Sequence, residues 1–373
     1  MRKWSWKKIR ISLCAGALTF LAASAQASPG GYIITDLGTL GGTSSSARGI
    51  NDSSQVVGNS TFAFTGELGS HVFLYNAGTM NSLGTLMNPP AEAHATGHDI
   101  NNAGQITGTS YYQYGSLGAL QHAFLHSGGS MRSLGTLGGR QSHAYAINDA
   151  GQVAGHSHTT IIPDTNPYND PAPVHAFLYS TGTMTSLGTL GGKNSFAYGI
   201  NNHGDVVGTS QTAGDTATRA FLYRSGTMVD IGTLGGTNST AYGINDNRHI
   251  VGDSDLPGNA RSHAFLYDGV TMKDLGTLGG ASSVAKAINN AGQVVGASRI
   301  NDAPYNPLDF NTYAHAFLYD KGRMHNLNAL PEVRNAGWTL LEASAINNIG
   351  QIAGYGYING ETRQRAFLLT PRR

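Results

Sequence analysis

Hydrophobic residues in this chain come in short bursts separated by polar turns, and the bursts repeat. One reads A-x-x-I-N, its Asn falling at Asn51, Asn101, Asn148, Asn201, Asn245, Asn289 and Asn347. A second, V/I-x-G, ends at Gly58, Gly108, Gly155, Gly208, Gly252, Gly296 and Gly354. The third, A/V-F-L, carries Phe73, Phe124, Phe177, Phe221, Phe265, Phe317 and Phe367. The fourth, L-G-T-L, starts at Leu37, Leu83, Leu134, Leu187, Ile231 and Leu275 and decays to Leu327-Asn-Ala-Leu. Each is short, rich in Val, Ile, Phe, Tyr and Thr, and bounded by Gly, Asn or Asp, which predicts a strand. Beyond the N-terminal segment nothing sustains a helical period.

Four strands per repeat, A to D in that order, at a period in the forties fit a β-propeller blade. Asn201-Asn202-His203-Gly204 and its equivalents predict tight A–B hairpins, because Asn and Gly accept positive φ. An open solenoid would need atypical capping repeats, and none is written here. Instead Tyr32 to Leu40 reads as a D strand without its A, B and C, and Ala366 to Leu369 as a C strand without its D. Ile34 even stands where Met80, Met184 and Met228 stand in other repeats. Joining the two ends completes a seventh blade and removes the open sheet edges. The expectation is an all-β, seven-bladed propeller of four-stranded blades, latched by the N-terminal strand. Strand A lies innermost, where its small Ala suits the crowding.

Met1 to Arg10 holds five basic residues and no acid, Ile11 to Ala23 is apolar, and Ala25-Gln26-Ala27 is a small-x-small cleavage pattern. This predicts a secretory signal peptide over 1–27 and one propeller domain over 28–373. The apolar run is too short to span a bilayer as a helix, so no membrane span is expected after cleavage. The chain has 23 Lys+Arg and 22 Asp+Glu, so losing five bases leaves a net charge of −4. Such a balance offers no surplus to neutralise phosphates, and nucleic acid is excluded as a partner. The single cysteine, Cys14, leaves with the signal, so packing rather than disulfides must hold the fold. The expected location is extracellular or periplasmic, and the expected state a monomer.

The recurrent His-Ala-Phe-Leu-Tyr, as at His175 to Tyr179 and His263 to Tyr267, followed by Leu-Gly-Thr-Leu-Gly-Gly, resembles the HAF family of probable extracellular repeats. The likeness covers the chain from end to end after the signal. It implies export and propeller-like repeats, and it supplies no catalytic residues. Arg219 and Arg365 depart from it where His is expected, and Val72 where Ala is.

Candidate chemistry comes from the loops. In an up-and-down blade the A–B and C–D turns share one face and the B–C and D–A loops the other, and only the second pair varies much in length. Elaboration on one face of a rigid scaffold predicts a binding surface there. Its candidate contacts are Tyr111, Tyr112 and Tyr114 in the B–C loop of blade 2, and Asp164, Tyr168, Asn169 and Asp170 in that of blade 3. Blade 6 adds Tyr305, Asp309, Phe310 and Tyr313, and Trp338 stands where a long D–A loop enters blade 7. Aromatic faces beside amides and carboxylates suit a glycan or a protein ligand. The repeated motif histidines are expected to make one structural hydrogen bond per blade. His94, His98, His156 and His158, with Glu92 nearby, form the candidate metal group, although their spacing does not define a closed ligand set. No cofactor is otherwise implied. The expected function is non-catalytic binding of glycan or protein through the B–C and D–A face. The alternatives are a polysaccharide hydrolase or lyase, and a purely structural surface protein.

Overall fold

The computed structural model describes residues 31–62, 69–87, 94–115, 118–162, 171–302, 314–361 and 363–372. Among them, twenty-eight strands form seven four-stranded antiparallel sheets set in a ring, a seven-bladed β-propeller. Blade 3 shows the pattern: Ser142–Ile147 pairs with Val153–His158, that strand with Val174–Ser180, and that with Thr183–Ser186. Blade 7 is composite. Trp338–Ile346, Ile352–Ile358 and Arg365–Pro371 are its strands A to C, and Tyr32–Asp36 is its D strand. Ile34 pairs with Leu369 as Met184 pairs with Tyr179, so the latch keeps the expected register.

The core is a set of wedges between blades rather than a single centre. One wedge packs Ala47, Val56 and Phe73 of blade 1 against Ala353, Ala366 and Leu368 of blade 7. The seven motif Phe rings are all fully buried. The Gly of V/I-x-G is required by this packing: a Cβ on Gly208 would sit on the Phe196 carbonyl, and one on Gly252 would meet both the Thr240 carbonyl and the Phe265 ring.

Strand D differs from the expected placement. In blades 3 and 4 it is the Thr-Met-x-Ser/Asp segment, Thr183–Ser186 and Thr227–Asp230, and stops before L-G-T-L; in blade 1 it starts likewise at Thr79 and runs on to Gly84. Gly188 and Gly232 then take positive φ (75° and 87°), which turns the chain out of the sheet and toward the next blade. L-G-T-L is therefore the connection between blades. Its last Leu N–H donates to a strand B serine of the following blade, Leu190 to Ser210 Oγ and Leu234 to Ser254 Oγ. A second serine clamps the same joint. Ser195 Oγ donates to Gly188 O at 2.6 Å and accepts the Ala176 N–H of blade 3 at 2.8 Å. The D–A connection into blade 7 carries a short helix, Pro331–Asn335, whose Val333 is buried.

The motif histidines follow the structural expectation. His71, His122 and His175 each pair through Nδ1 with a strand D serine eleven residues on, His263 with Asp274 and His315 with Asn326. The motif asparagines do more than shape turns. Each Nδ2 donates to the carbonyl of the equivalent Asn in the next blade, from Asn51 round to Asn347 and back to Asn51. The residue after each Asn repeats the device. Its backbone N–H donates to the next blade's side-chain Oδ1, closing a second ring through Asp52, Asn102, Asp149, Asn202, Asp246, Asn290 and Asn348.

Candidate functional site

Every strand A shifts register against strand B within A-x-x-I-N, and the extra residue there is the first x. A β-bulge leaves its extra residue out of the ladder and re-aims the side chain. The seven bulge residues are Arg48, His98, Tyr145, Tyr198, Tyr242, Lys286 and Ser344, and all of them line one cavity on the propeller axis. The cavity holds about 200 Å³, is floored by motif isoleucines including Ile50, Ile200 and Ile346, and opens toward the B–C and D–A face. Below the isoleucines, a separate depression of about 190 Å³ lined by the asparagine rings opens on the opposite face.

Round the funnel the bulge side chains touch in sequence. His98 lies 4.8 Å from Tyr145 between ring centroids, Tyr145 lies 5.3 Å from Tyr198, and Tyr198 lies 5.4 Å from Tyr242. Lys286 Nζ sits 4.6 Å over the Tyr242 ring and 3.7 Å from Glu342 Oε2, and Ser344 donates to Glu342 Oε1 at 3.0 Å. Arg48 completes the circle and is exposed. Burial pushes the Tyr198 hydroxyl up to about 12 and raises those of Tyr145 and Tyr242, so all three stay neutral donors near pH 7.

The carboxyls around the funnel are committed to the scaffold. Asp99 accepts the Ile100 and Ile147 N–H groups, one per oxygen, tying blade 2 to blade 3, and burial pushes it up to about 7 against those two bonds. Asp253 accepts Ser262 Oγ–H at 2.7 Å and the Tyr242 hydroxyl. Two side clefts join the funnel. One, about 380 Å³, runs between blades 5 and 6 and shares Tyr242 and Lys286. The other, about 290 Å³, lies between blades 2 and 3 and shares His98.

The residues expected from the sequence fall into three groups. Asp164, Tyr168, Asn169, Asp170, Tyr305, Asp309, Phe310, Tyr313 and Glu92 lie outside the described residues. Tyr111, Tyr112 and Tyr114 belong to strand B, not to a loop, because blade 2 extends its B–C hairpin through the pairs Tyr111–Gln121 and Tyr114–Ala119. Tyr111 lines the cleft between blades 2 and 3, and Tyr112 stacks on His122 at 4.2 Å. Trp338 is 7% exposed and packs edge-on against Phe367, so it is a core residue of blade 7 and not a ligand contact.

The histidines do not converge on one point. His94 and His98 line the cleft between blades 2 and 3, while His156 stacks on His143 at 4.8 Å and meets Phe196 edge-on. His158 sits two residues further along the His156 strand. Among the described residues no group of three or more His, Cys, Asp or Glu is placed to hold a metal ion. The rings serve as wall. Burial, then the charges of Arg48 and His143, push His98 down to about 3, and burial with neighbouring imidazoles takes His143 to about 4 and His156 well below its ordinary value.

Sequence reasoning missed the Arg48, Tyr145, Tyr198, Tyr242, Lys286 and Ser344 belt. The usable signal was variation: within a motif repeated seven times, the first x runs through Arg, His, Tyr, Lys and Ser.

A family model described as "Protein of unknown function (DUF3466)" matches residues 227–367. No curated protein matches the chain. Among solved structures, oligogalacturonate lyase from Vibrio parahaemolyticus is 12% identical, with 90% of this chain and 93% of that one covered and a TM-score of 0.54. An oligogalacturonate lyase in complex with manganese is 13% identical (91% and 93% covered, TM-score 0.52). The β-propeller domain of the Trilobed protease from Pyrococcus furiosus is 9% identical (92% and 96% covered, TM-score 0.54). At such identities the likeness is one of fold, and the fold shared is the β-propeller.

Proposed function

We propose that this chain is an exported, non-catalytic propeller that binds carbohydrate in its axial funnel. The observation that carries the reading is the belt of bulge residues. The scaffold repeats its structural side chains seven times, yet at the position that β-bulges aim at the axis it presents three tyrosines, a histidine, two cations and a serine. Tyrosine rings offer flat apolar faces to the C–H surface of a sugar, and neutral hydroxyls and cations bind its oxygens. A volume of about 200 Å³ is smaller than the usual ~300–1,000 Å³ of drug-sized sites. It suits one sugar ring or a chain end, with the side clefts available to neighbouring units.

Binding is favoured over catalysis because Asp99, Glu342 and Asp253 spend their oxygens on backbone, Ser, Tyr and Lys partners. The basic, apolar, small-x-small N-terminal segment and the resemblance to the HAF extracellular repeats support export. The test is calorimetry after a glycan-array screen. Tyr198→Ala with Tyr242→Ala should weaken the best saccharide by at least about tenfold. Ile349→Ser, an exposed change in the A–B turn of blade 7 on the far face, should leave affinity alone. An array without a single saccharide hit, or unchanged binding in the double variant, would overturn the reading.

A further inference from the structure

Six of the seven belt residues are engaged with a neighbour. His98 and the three tyrosines contact one another, Lys286 is held by Tyr242 and Glu342, and Ser344 by Glu342. Arg48 is the exception. Among the described residues its guanidinium has no hydrogen bond and no ion pair, although it lines the cavity beside Ser344 of blade 7 and His98 of blade 2. Elsewhere the molecule pairs such arginines closely, as Arg248 with Asp205 at 2.9 Å and Arg365 with Asp36 at 2.7 Å. The field of Arg48 reaches His98 and Tyr145 across the funnel, disfavouring charge on the one and favouring it on the other. No carboxylate of the wall is free to neutralise it.

A guanidinium presents N–H donors in a planar fork that matches the two oxygens of a carboxylate, and desolvation inside a cavity strengthens that pair. Resting on the carbohydrate reading above, we infer that the bound saccharide carries a carboxylate, as a uronate does, and that Arg48 is the residue that selects it. The sugar ring lies over the isoleucine floor with its hydroxyls toward Tyr145, Tyr198 and Tyr242, and its carboxylate faces blade 1. Lys286, already committed to Glu342, contributes ring contact rather than the selecting charge.

The test uses sets of oligosaccharides that differ only at C6, which bears a hydroxymethyl, a carboxylate or a sulfate ester, in the gluco, galacto and manno series. Affinities are measured on the full-length protein after export processing. The carboxylate member of the binding series should bind at least about tenfold tighter than its neutral partner. Arg48→Gln should abolish that preference, bringing the carboxylated and neutral members to within about twofold of each other, and Arg48→Lys should restore part of it. Arg48 is exposed, so these variants should fold with the wild-type melting temperature. Equal binding of carboxylated and sulfated members would overturn carboxylate selection. If Arg48→Gln keeps the preference while Tyr198→Ala with Tyr242→Ala still loses neutral binding, the assignment to Arg48 fails and the carbohydrate reading stands. If none of these variants changes binding, both fail together.

Discussion

Asn101 is nearly fully buried and uses every polar atom of its side chain. Nδ2 donates to Gln105 Oε1 and to the Asn148 carbonyl of the next blade, while Oδ1 accepts the Ala103 and Gln105 N–H groups. Removing the amide leaves buried partners unpaired, which costs more than the bonds themselves contribute. Asn101→Ala should therefore lower stability by about 2–4 kcal/mol, read as a fall in the urea midpoint. Asn101→Asp should do no better, because it replaces two donors with acceptors. Asn102→Ala, in the exposed outer ring, should cost about 1 kcal/mol or less; an equal loss at both positions would mean that the inner ring has no special role. The imidazoles give a second residue-scale expectation. His98, His143 and His156 are depressed in the fold, facing Arg48, His122 and His158, so the unfolded chain takes up protons first and stability falls as pH drops from about 6.5 toward 4. Asp99, raised to about 7, works in the opposite sense and loses its contribution as pH rises from about 4 to 7. Three groups outweigh one, so the melting temperature should drop between pH 7 and pH 5, and His143→Gln should flatten the slope. A profile that is level over that range would contradict the buried, neutral state of these rings.

Strands A, B and C were legible in the sequence because their side chains repeat for structural reasons that act equally in every blade. Strand D was placed about four residues late. The Leu residues of L-G-T-L are hydrophobic because they fill the wedges between blades, as Leu187 does, and hydrophobicity alone does not separate a wedge residue from a strand residue. The axial belt was hidden for a related reason: alternation along strand A assigns faces by parity, and a bulge breaks parity at the one position that matters. The closing strand is the element whose loss tests the architecture most directly. Tyr32 and Ile34 share a cluster with Trp338, Leu340 and Leu369. In a chain starting at Ser28, Trp338 is the sole tryptophan. Deleting Tyr32–Asp36 from that chain should shift its emission to the red and cause aggregation or a large loss of thermal stability, through the exposed edge of Arg365–Pro371. Unchanged emission and melting would mean that the latch is dispensable.

Taken whole, the molecule is a closed cycle with two chemically different ends to its axis. The inner asparagine ring makes one mouth nearly uniform, since every blade contributes the same Asn-to-carbonyl bond, with an Asp or Asn beside it. The other mouth is asymmetric, because three successive blades contribute a tyrosine at the bulge and the other four contribute Arg48, His98, Lys286 and Ser344. Seven equivalent asparagine bonds tie neighbouring blades at the first mouth, and the bulge sets the chemistry of the second. This division of labour explains why the functional reading rests on the positions that depart from the repeat.

The latch has one more consequence. The N–H of Arg372 donates to the carbonyl of Gly31 at 2.7 Å, so the two ends of the described chain lie side by side. A chain reconnected there by a short linker and opened at Val270, which is 85% exposed in the C–D turn of blade 5, would begin with strand D of blade 5 and finish with its strand C. That is the present arrangement moved five-sevenths of the way round. Where synthesis starts would then be a matter of gene order alone, and the rearranged protein should refold to the same circular dichroism spectrum and melting temperature.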